Sequence, residues 1–128
     1  MIALVDDDAH VRHAIARVLR SAGYAVEEYV AGAVFLGALT HRRPDCVVLD
    51  LRMSVLGGFE VQEAIGRAGN SIPVILVTAD HTAENFARAT KLGALCCLRK
   101  PVDASRLLEE VRKACLLRGL GNTRAAGR

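Results

Sequence analysis

Four short apolar runs in this chain each end on, or just before, a polar residue able to do chemistry. Ile2-Ala3-Leu4-Val5 closes on Asp6-Asp7-Asp8, and Cys46-Val47-Val48-Leu49 closes on Asp50. Val74-Ile75-Leu76-Val77 closes on Thr78, and Leu95-Cys96-Cys97-Leu98 is followed shortly by Lys100. Between the runs lie segments whose apolar residues recur at helical spacing. Strand-length runs alternating with helical segments dictate βαβ units and a parallel sheet covered by helices on both faces. In an open sheet of this kind, the carboxyl ends of the strands converge on one crevice. The sequence therefore places three carboxylates, a hydroxyl and an amine around a single site.

The pattern predicts strands near 2–6, 25–30, 45–50, 73–78 and 94–99, and helices near 9–22, 31–40, 57–68, 82–92 and 103–118. Val11, Ile15, Val18, Leu19 and Ala22 form the expected buried stripe of the first helix, with Gly23 as a left-handed C-terminal cap. Gly57-Gly58 and Gly69 bound the third helix. The fifth is expected to bury Leu107, Leu108, Val111 and Cys115, with Asp103 capping its start. The second strand, Ala25 to Val30, mixes in Glu27 and Glu28 and should lie at an edge. Pro44 and Pro73 precede strands, where a missing N–H costs little. The fourth helix is weakly apolar, with Ala83, Phe86, Ala87, Ala89 and Leu92, and should dock loosely.

At 128 residues and 52% hydrophobic content, the chain is long and apolar enough for one packed domain. No apolar run approaches the roughly 20 residues that span a bilayer, and Asp6 interrupts any targeting stretch, so a cytoplasmic location is expected. The formal charge of +3 is unevenly placed. Acids gather at the strand ends; Arg112, Lys113, Arg118, Arg124 and Arg128 gather near the C-terminus. Such a basic stretch can touch nucleic acid, or it can be a solvated helix face running into a linker, which is the reading preferred here. Residues 1–118 are read as the domain and 119–128 as a frayed tail or truncated linker. The four cysteines, Cys46, Cys96, Cys97 and Cys115, have no C-x-x-C spacing and are expected to be reduced. His10, His13, His41 and His81 form no metal pattern, and the His10/His13 pair is read as a solvated first turn.

Asp6, Asp7 and Asp50 are hard oxygen donors of the type that Mg²⁺ takes, one or two carboxylates at a time, alongside phosphate. Packed together they repel, and a cation relieves the repulsion. Asp50 can then act as a nucleophile toward phosphorus. Lys100 offers a positive charge and Thr78 a hydroxyl to the phosphoryl oxygens, while the small Ala79 leaves room for the incoming group. Asp8 is better read as a helix cap.

This constellation resembles the receiver domain of bacterial two-component response regulators over roughly residues 2–117. The residues that carry the resemblance are Val5-Asp6-Asp7-Asp8, Asp50-Leu51-Arg52-Met53, Gly58, Thr78-Ala79, Gly93-Ala94 and Lys100-Pro101. Asp50-Leu51-Arg52-Met53 with Phe59-Glu60 looks most like receivers of nitrogen-fixation and LuxR-type transcription factors. The resemblance implies a doubly wound, flavodoxin-like α/β fold with five parallel strands ordered 2-1-3-4-5. It implies that Asp50 is the phosphoacceptor, that Asp6, Asp7, Asp50 and the Arg52 carbonyl hold Mg²⁺, and that Thr78 and Lys100 contact the phosphoryl group. It also implies a cis peptide before Pro101, a sensor histidine kinase as partner, and a switching surface on the fourth helix, fifth strand and fifth helix that could support a homodimer. No DNA-binding module lies in these residues, so no nucleic acid contact is expected of the domain itself, nor any with a membrane. It is either a single-domain regulator or the N-terminal piece of a longer one.

Two positions depart from the family pattern. Ser54 stands where proline is usual, which leaves φ free and should make the 54–58 loop more mobile. Cys97 stands where an aromatic ring usually swings inward, which puts that readout in doubt. Beyond the family pattern, Arg52 and Asp80 each follow a site residue by two positions, and the two are expected either to pair across the crevice mouth and shield an acyl phosphate or to be solvated independently. Two further functions stay open. A haloacid-dehalogenase-like phosphohydrolase would need an acid where Arg52 stands. A phosphorylation-independent interaction scaffold would tolerate Ser54 and Cys97.

Overall fold

The protein is described from a computed structural model that covers residues 1–69 and 71–126, with side chains described as far as Leu117. Five strands and five helices alternate: β1 (Ile2–Val5), α1 (Ala9–Ser21), β2 (Val26–Tyr29), α2 (Gly32–Ala38), β3 (Cys46–Asp50), α3 (Gly58–Arg67), β4 (Val74–Thr78), α4 (Ala83–Lys91), β5 (Cys96–Arg99) and α5 (Ala104–Ala126). All strand pairs are parallel, in the order β2-β1-β3-β4-β5. This is the doubly wound flavodoxin-like sheet expected of the sequence.

Residues of the strands alternate between two cores, as the two-residue period of a pleated strand requires. Ala3, Val5, Val47, Leu49, Val74 and Leu76 pack on one face with Phe35, Phe59, Val61 and Ile65. Ile2, Leu4, Cys46, Val48, Ile75 and Val77 pack on the other with Ile15, Leu19, Leu107 and Val111. The three central strands are buried along their whole length, and β2 is a half-buried edge. β5 is the other edge: Cys97 and Leu98 are buried, one in each core, while Cys96 is half-buried and Arg99 exposed.

Helix α1 is rotated from the expected stripe. It buries Arg12, Ile15, Ala16 and Leu19, while Ala22 is exposed. Gly23, Gly69 and Gly93 take positive φ just past α1, α3 and α4, where a Cβ would be strained. Asp8 caps α1 by accepting from the backbone N–H groups of His10 and Val11, and Asp103 accepts from Ser105 and Arg106 at the start of α5. Leu107 and Val111 are buried and Leu108 and Cys115 half-buried. Helix α5 continues past the expected end at 118, through Ala126; the last two residues of the expected tail lie outside the described residues. Helix α4 buries only Ala89, consistent with its weak apolar face. The four cysteines are free, and burial raises each thiol's pKa, that of Cys96 to about 12. Among the described residues, no helix is long and apolar enough to cross a membrane.

The start of α3 presses directly on the end of β3. A Cβ on Gly58 would fall 2.7 Å from the Asp50 carbonyl oxygen and 2.8 Å from Leu51 Cα, both backbone atoms that cannot swing aside. Gly58→Ala is therefore expected to destabilise the fold by about 1–3 kcal/mol despite alanine's better helix propensity, read as a lower urea midpoint.

Candidate functional site

The register of the sheet builds the site. Val5 pairs with Leu49 across β1 and β3, so the residues that follow, Asp6 and Asp50, emerge side by side. Asp50 pairs with Val77 and Thr78 with Arg99, which brings the hydroxyl of Thr78 and the start of the β5–α5 loop to the same edge. Carboxylate oxygens of Asp6, Asp7 and Asp50 lie within 4.8 Å of one another. Asp6 and Asp50 are buried and Asp7 is exposed.

Lys100 closes the cluster. Its Nζ donates to Asp6 Oδ2 at 2.9 Å and to Asp50 Oδ1 at 3.1 Å. The Lys100 backbone N–H donates to the Thr78 carbonyl at 2.9 Å, and the Lys100–Pro101 peptide is cis, as expected. Thr78 is fully buried, and its Oγ1 accepts from the Asp80 N–H at 2.9 Å. The hydroxyl proton of Thr78 is not consumed by that bond. Arg52 and Asp80 do pair across the crevice mouth. The Arg52 N–H also approaches Asp50 Oδ1 at 3.4 Å.

Electrostatics set Asp50 apart. Burial is the main cause that raises its pKa, to about 6, with the neighbouring Asp6 adding to the rise and Lys100 opposing it. For Lys100, burial works to lower the pKa, but hydrogen bonds to Asp6 and Asp50 prevail and raise it. Three hard oxygen donors converging on one point suit Mg²⁺ rather than a thiophilic metal, and each described thiol is held away from this cluster in or against the core.

Three contributions at the site were not read from the sequence. Arg12 is buried on α1, where Nη1 donates to the Asp6 carbonyl at 2.9 Å and Nε to Glu28 at 3.2 Å. The available signal was its position: 12, 15, 16 and 19 share one helix face. Ser54 bonds Asp7 through both its N–H and its hydroxyl. His81 Nε2 lies 3.1 Å from the Cys97 carbonyl, and its ring is 6.0 Å from that of Phe86, so an imidazole sits beside the small residue on β5. Neither loop contact has a sequence signature.

The profile of the response regulator receiver domain matches residues 2–112. The chain belongs to the response regulator receiver domain family. It is 32% identical over 117 residues to the response regulator protein TodT of Pseudomonas putida, a match covering 91% of this chain and 52% of TodT. It is 32% identical over 127 residues to the transcriptional regulatory protein FixJ of Azorhizobium caulinodans, covering 99% of this chain and 58% of FixJ. The solved structure of FixJ-N superposes with a TM-score of 0.83 at 29% identity, covering 89% of this chain and 91% of that one. The receiver domain thus spans about half the length of the curated relatives it matches.

The sign of the Asp50 shift makes a test of the metal-free receiver. A carboxyl whose folded pKa stands above its unfolded value takes up protons on folding. Ionising it costs stability, progressively, as pH rises from about 4 to about 6. Asp50→Asn should therefore stabilise the receiver at pH 7 by on the order of 1–3 kcal/mol. The gain should shrink toward zero near pH 4, as followed by thermal melting across that range.

Proposed function

We propose that this receiver accepts a phosphoryl group on Asp50 from the phosphohistidine of a sensor kinase, and in doing so switches a surface made of α4, β5 and α5. The observation that carries the reading is the Lys100 ammonium bonded to both Asp6 and Asp50, inside a set of three carboxylates with oxygens within 4.8 Å of one another. In this reading an Asp50 carboxylate oxygen attacks phosphorus, the P–N bond to the imidazole breaks, and the imidazole leaves with its electron pair and takes up a proton. Asp6, Asp7, Asp50 and the Arg52 carbonyl would hold Mg²⁺, which supplies charge neutralisation for the carboxylates and the incoming phosphoryl oxygens. Lys100 contributes a positive charge on the same side. Thr78 donates a hydrogen bond from its hydroxyl to a phosphoryl oxygen, and its bond with the Asp80 N–H joins that contact to the β4–α4 loop.

The receiver acts only on its own phosphorylation and dephosphorylation in this reading. A phosphohydrolase acting on external substrates is disfavoured because Arg52, paired with Asp80, stands where a second acid would be needed. Residues 1–118 form the switch, 119–128 are a tail or linker, and the process regulated is transcription. The location is cytoplasmic, the kinase is the direct partner, and any homodimer would use α4-β5-α5; neither nucleic acid nor membrane is contacted by this domain.

Acetyl phosphate with Mg²⁺ should add the mass of one phosphoryl group to the wild-type chain and none to Asp50→Asn. No gain in the wild type would favour the scaffold reading, and steady release of phosphate from small phosphoesters would favour the hydrolase. The Arg52–Asp80 pair, exposed and worth about 0–1 kcal/mol, partly covers the acyl phosphate. Asp80→Ala should shorten the lifetime of phosphorylated Asp50 severalfold, measured by the decay of the phosphorylated species after donor removal; an unchanged lifetime removes the shielding role.

A further inference from the structure

Of the three clustered carboxylates, Asp6 and Asp50 are buried and held by Lys100, whereas Asp7 is exposed on the loop after β1. An exposed aspartate ordinarily samples several rotamers, and fixing it costs entropy. Here the restraint comes from 47 residues away. Ser54, in the β3–α3 loop, directs two donors at one oxygen: its backbone N–H reaches Asp7 Oδ2 at 3.1 Å and its hydroxyl reaches the same atom at 2.9 Å. Two donors on Oδ2 leave the lone pairs of Oδ1 unclaimed by Ser54. The same bonds tie the β3–α3 loop, which carries Arg52, to the end of β1.

We propose that Ser54 is a positioning residue for the divalent cation. By holding Asp7 with one oxygen engaged and the β3–α3 loop tied to it, Ser54 raises the affinity of the unphosphorylated receiver for Mg²⁺. This rests on the metal reading above. Two effects compete. Hydrogen bonds to a ligand carboxylate draw charge from it, which weakens its hold on a cation; they also remove the cost of ordering it when the cation arrives. Ordering prevails here because both donors fall on one oxygen and spare the other. A cation that required Oδ2 itself would first have to break both bonds, and then Ser54 would be a competitor.

The distinction is measurable by titrating Mg²⁺ into metal-free protein, with binding followed by calorimetry and by backbone amide NMR shifts. Removing a partner that orients a metal ligand typically costs about 10–100-fold in affinity; for this exposed pair, Ser54→Ala should weaken Mg²⁺ binding about 3–10-fold. Ser54→Thr, which keeps both donors, should stay within about twofold of wild type. The half-saturating Mg²⁺ for labelling by acetyl phosphate should rise by the same factor in Ser54→Ala while the saturated rate holds. Thermal melting by circular dichroism checks that each variant is folded. Affinity unchanged or tightened in folded Ser54→Ala, with the wild type binding normally, overturns the proposal. A wild-type receiver that binds no Mg²⁺ overturns instead the metal reading on which it rests.

Discussion

Two buried carboxylates, Asp6 and Asp50, are forced together by the parallel pairing of β1 with β3, and everything else at the strand ends answers that repulsion. Neither strand can slip to relieve it. A shift of one residue would turn every core side chain of the strand to the wrong face, and β1 and β3 are buried throughout. Relief must come from outside the pair, and Lys100 brings it from beyond β5, bonded to both acids at once. The relief is partial: burial first and the neighbouring Asp6 second push the Asp50 pKa up, to about 6, against the opposing pull of Lys100. A site that retains repulsion is primed for a cation or a positively charged donor, whereas a fully neutralised one would gain little from either. The stability forgone at this edge is supplied by the two cores on either side of the sheet.

On the far side of Asp50, a chain of short contacts leads away from the crevice toward α4. The Thr78 hydroxyl oxygen accepts from Asp80, whose carboxylate pairs with Arg52 and whose carbonyl accepts from Asn85 Nδ2 at 2.8 Å, inside the first turn of α4. His81, next in the chain, reaches the carbonyl of Cys97 on β5. A rotation of the Thr78 hydroxyl would disturb groups that hold both the start of α4 and the face of β5. The helix at the end of this chain resists little, because it buries only Ala89. Its further ties include a long hydrogen bond from Gln62 Nε2 to the Ala89 carbonyl at 3.5 Å and, at the surface, Arg88 over the Phe59 ring at 4.4 Å and near Glu63 at 3.5 Å. Such contacts are weak enough to be exchanged for others.

The parts of this structure legible in the sequence are those with a period or a terminus. Five strands, five helices, the β2 edge and the caps at Asp8 and Asp103 follow from spacing and from local hydrogen-bond chemistry. Asp6, Asp50 and Thr78 were readable because they directly follow or end apolar runs. Arg12 was hidden because hydropathy treats a guanidinium as solvated; on α1 it is buried by bonding to the Asp6 carbonyl and Glu28, which shifts the buried stripe toward Ala16 and leaves Ala22 in water. The Ser54–Asp7 contact was hidden because φ freedom is a local property while the bonding partner lies across the crevice. β5 was legible as covered on both faces, since Cys97 joins one core and Leu98 the other, while its place at the end of the sheet, a matter of topology, leaves Arg99 exposed.

The triplet Asp6-Asp7-Asp8 shows how far geometry, rather than residue type, decides role. The first acid still follows the strand's alternation and is carried into the buried edge beside Asp50. The second is already in the loop, exposed, and oriented from another strand's loop by Ser54. The third begins a helix and spends its oxygen on the N–H groups of His10 and Val11. The three are also mechanically joined, since the Asp8 N–H donates to Asp6 Oδ1 at 2.9 Å while Arg12, one turn into α1, holds the Asp6 carbonyl. Two hydrogen bonds therefore tie the start of α1 to the residue that carries the buried carboxylate. The other paired groups of the site, Asp7 with Ser54 and Arg52 with Asp80, lie toward solvent.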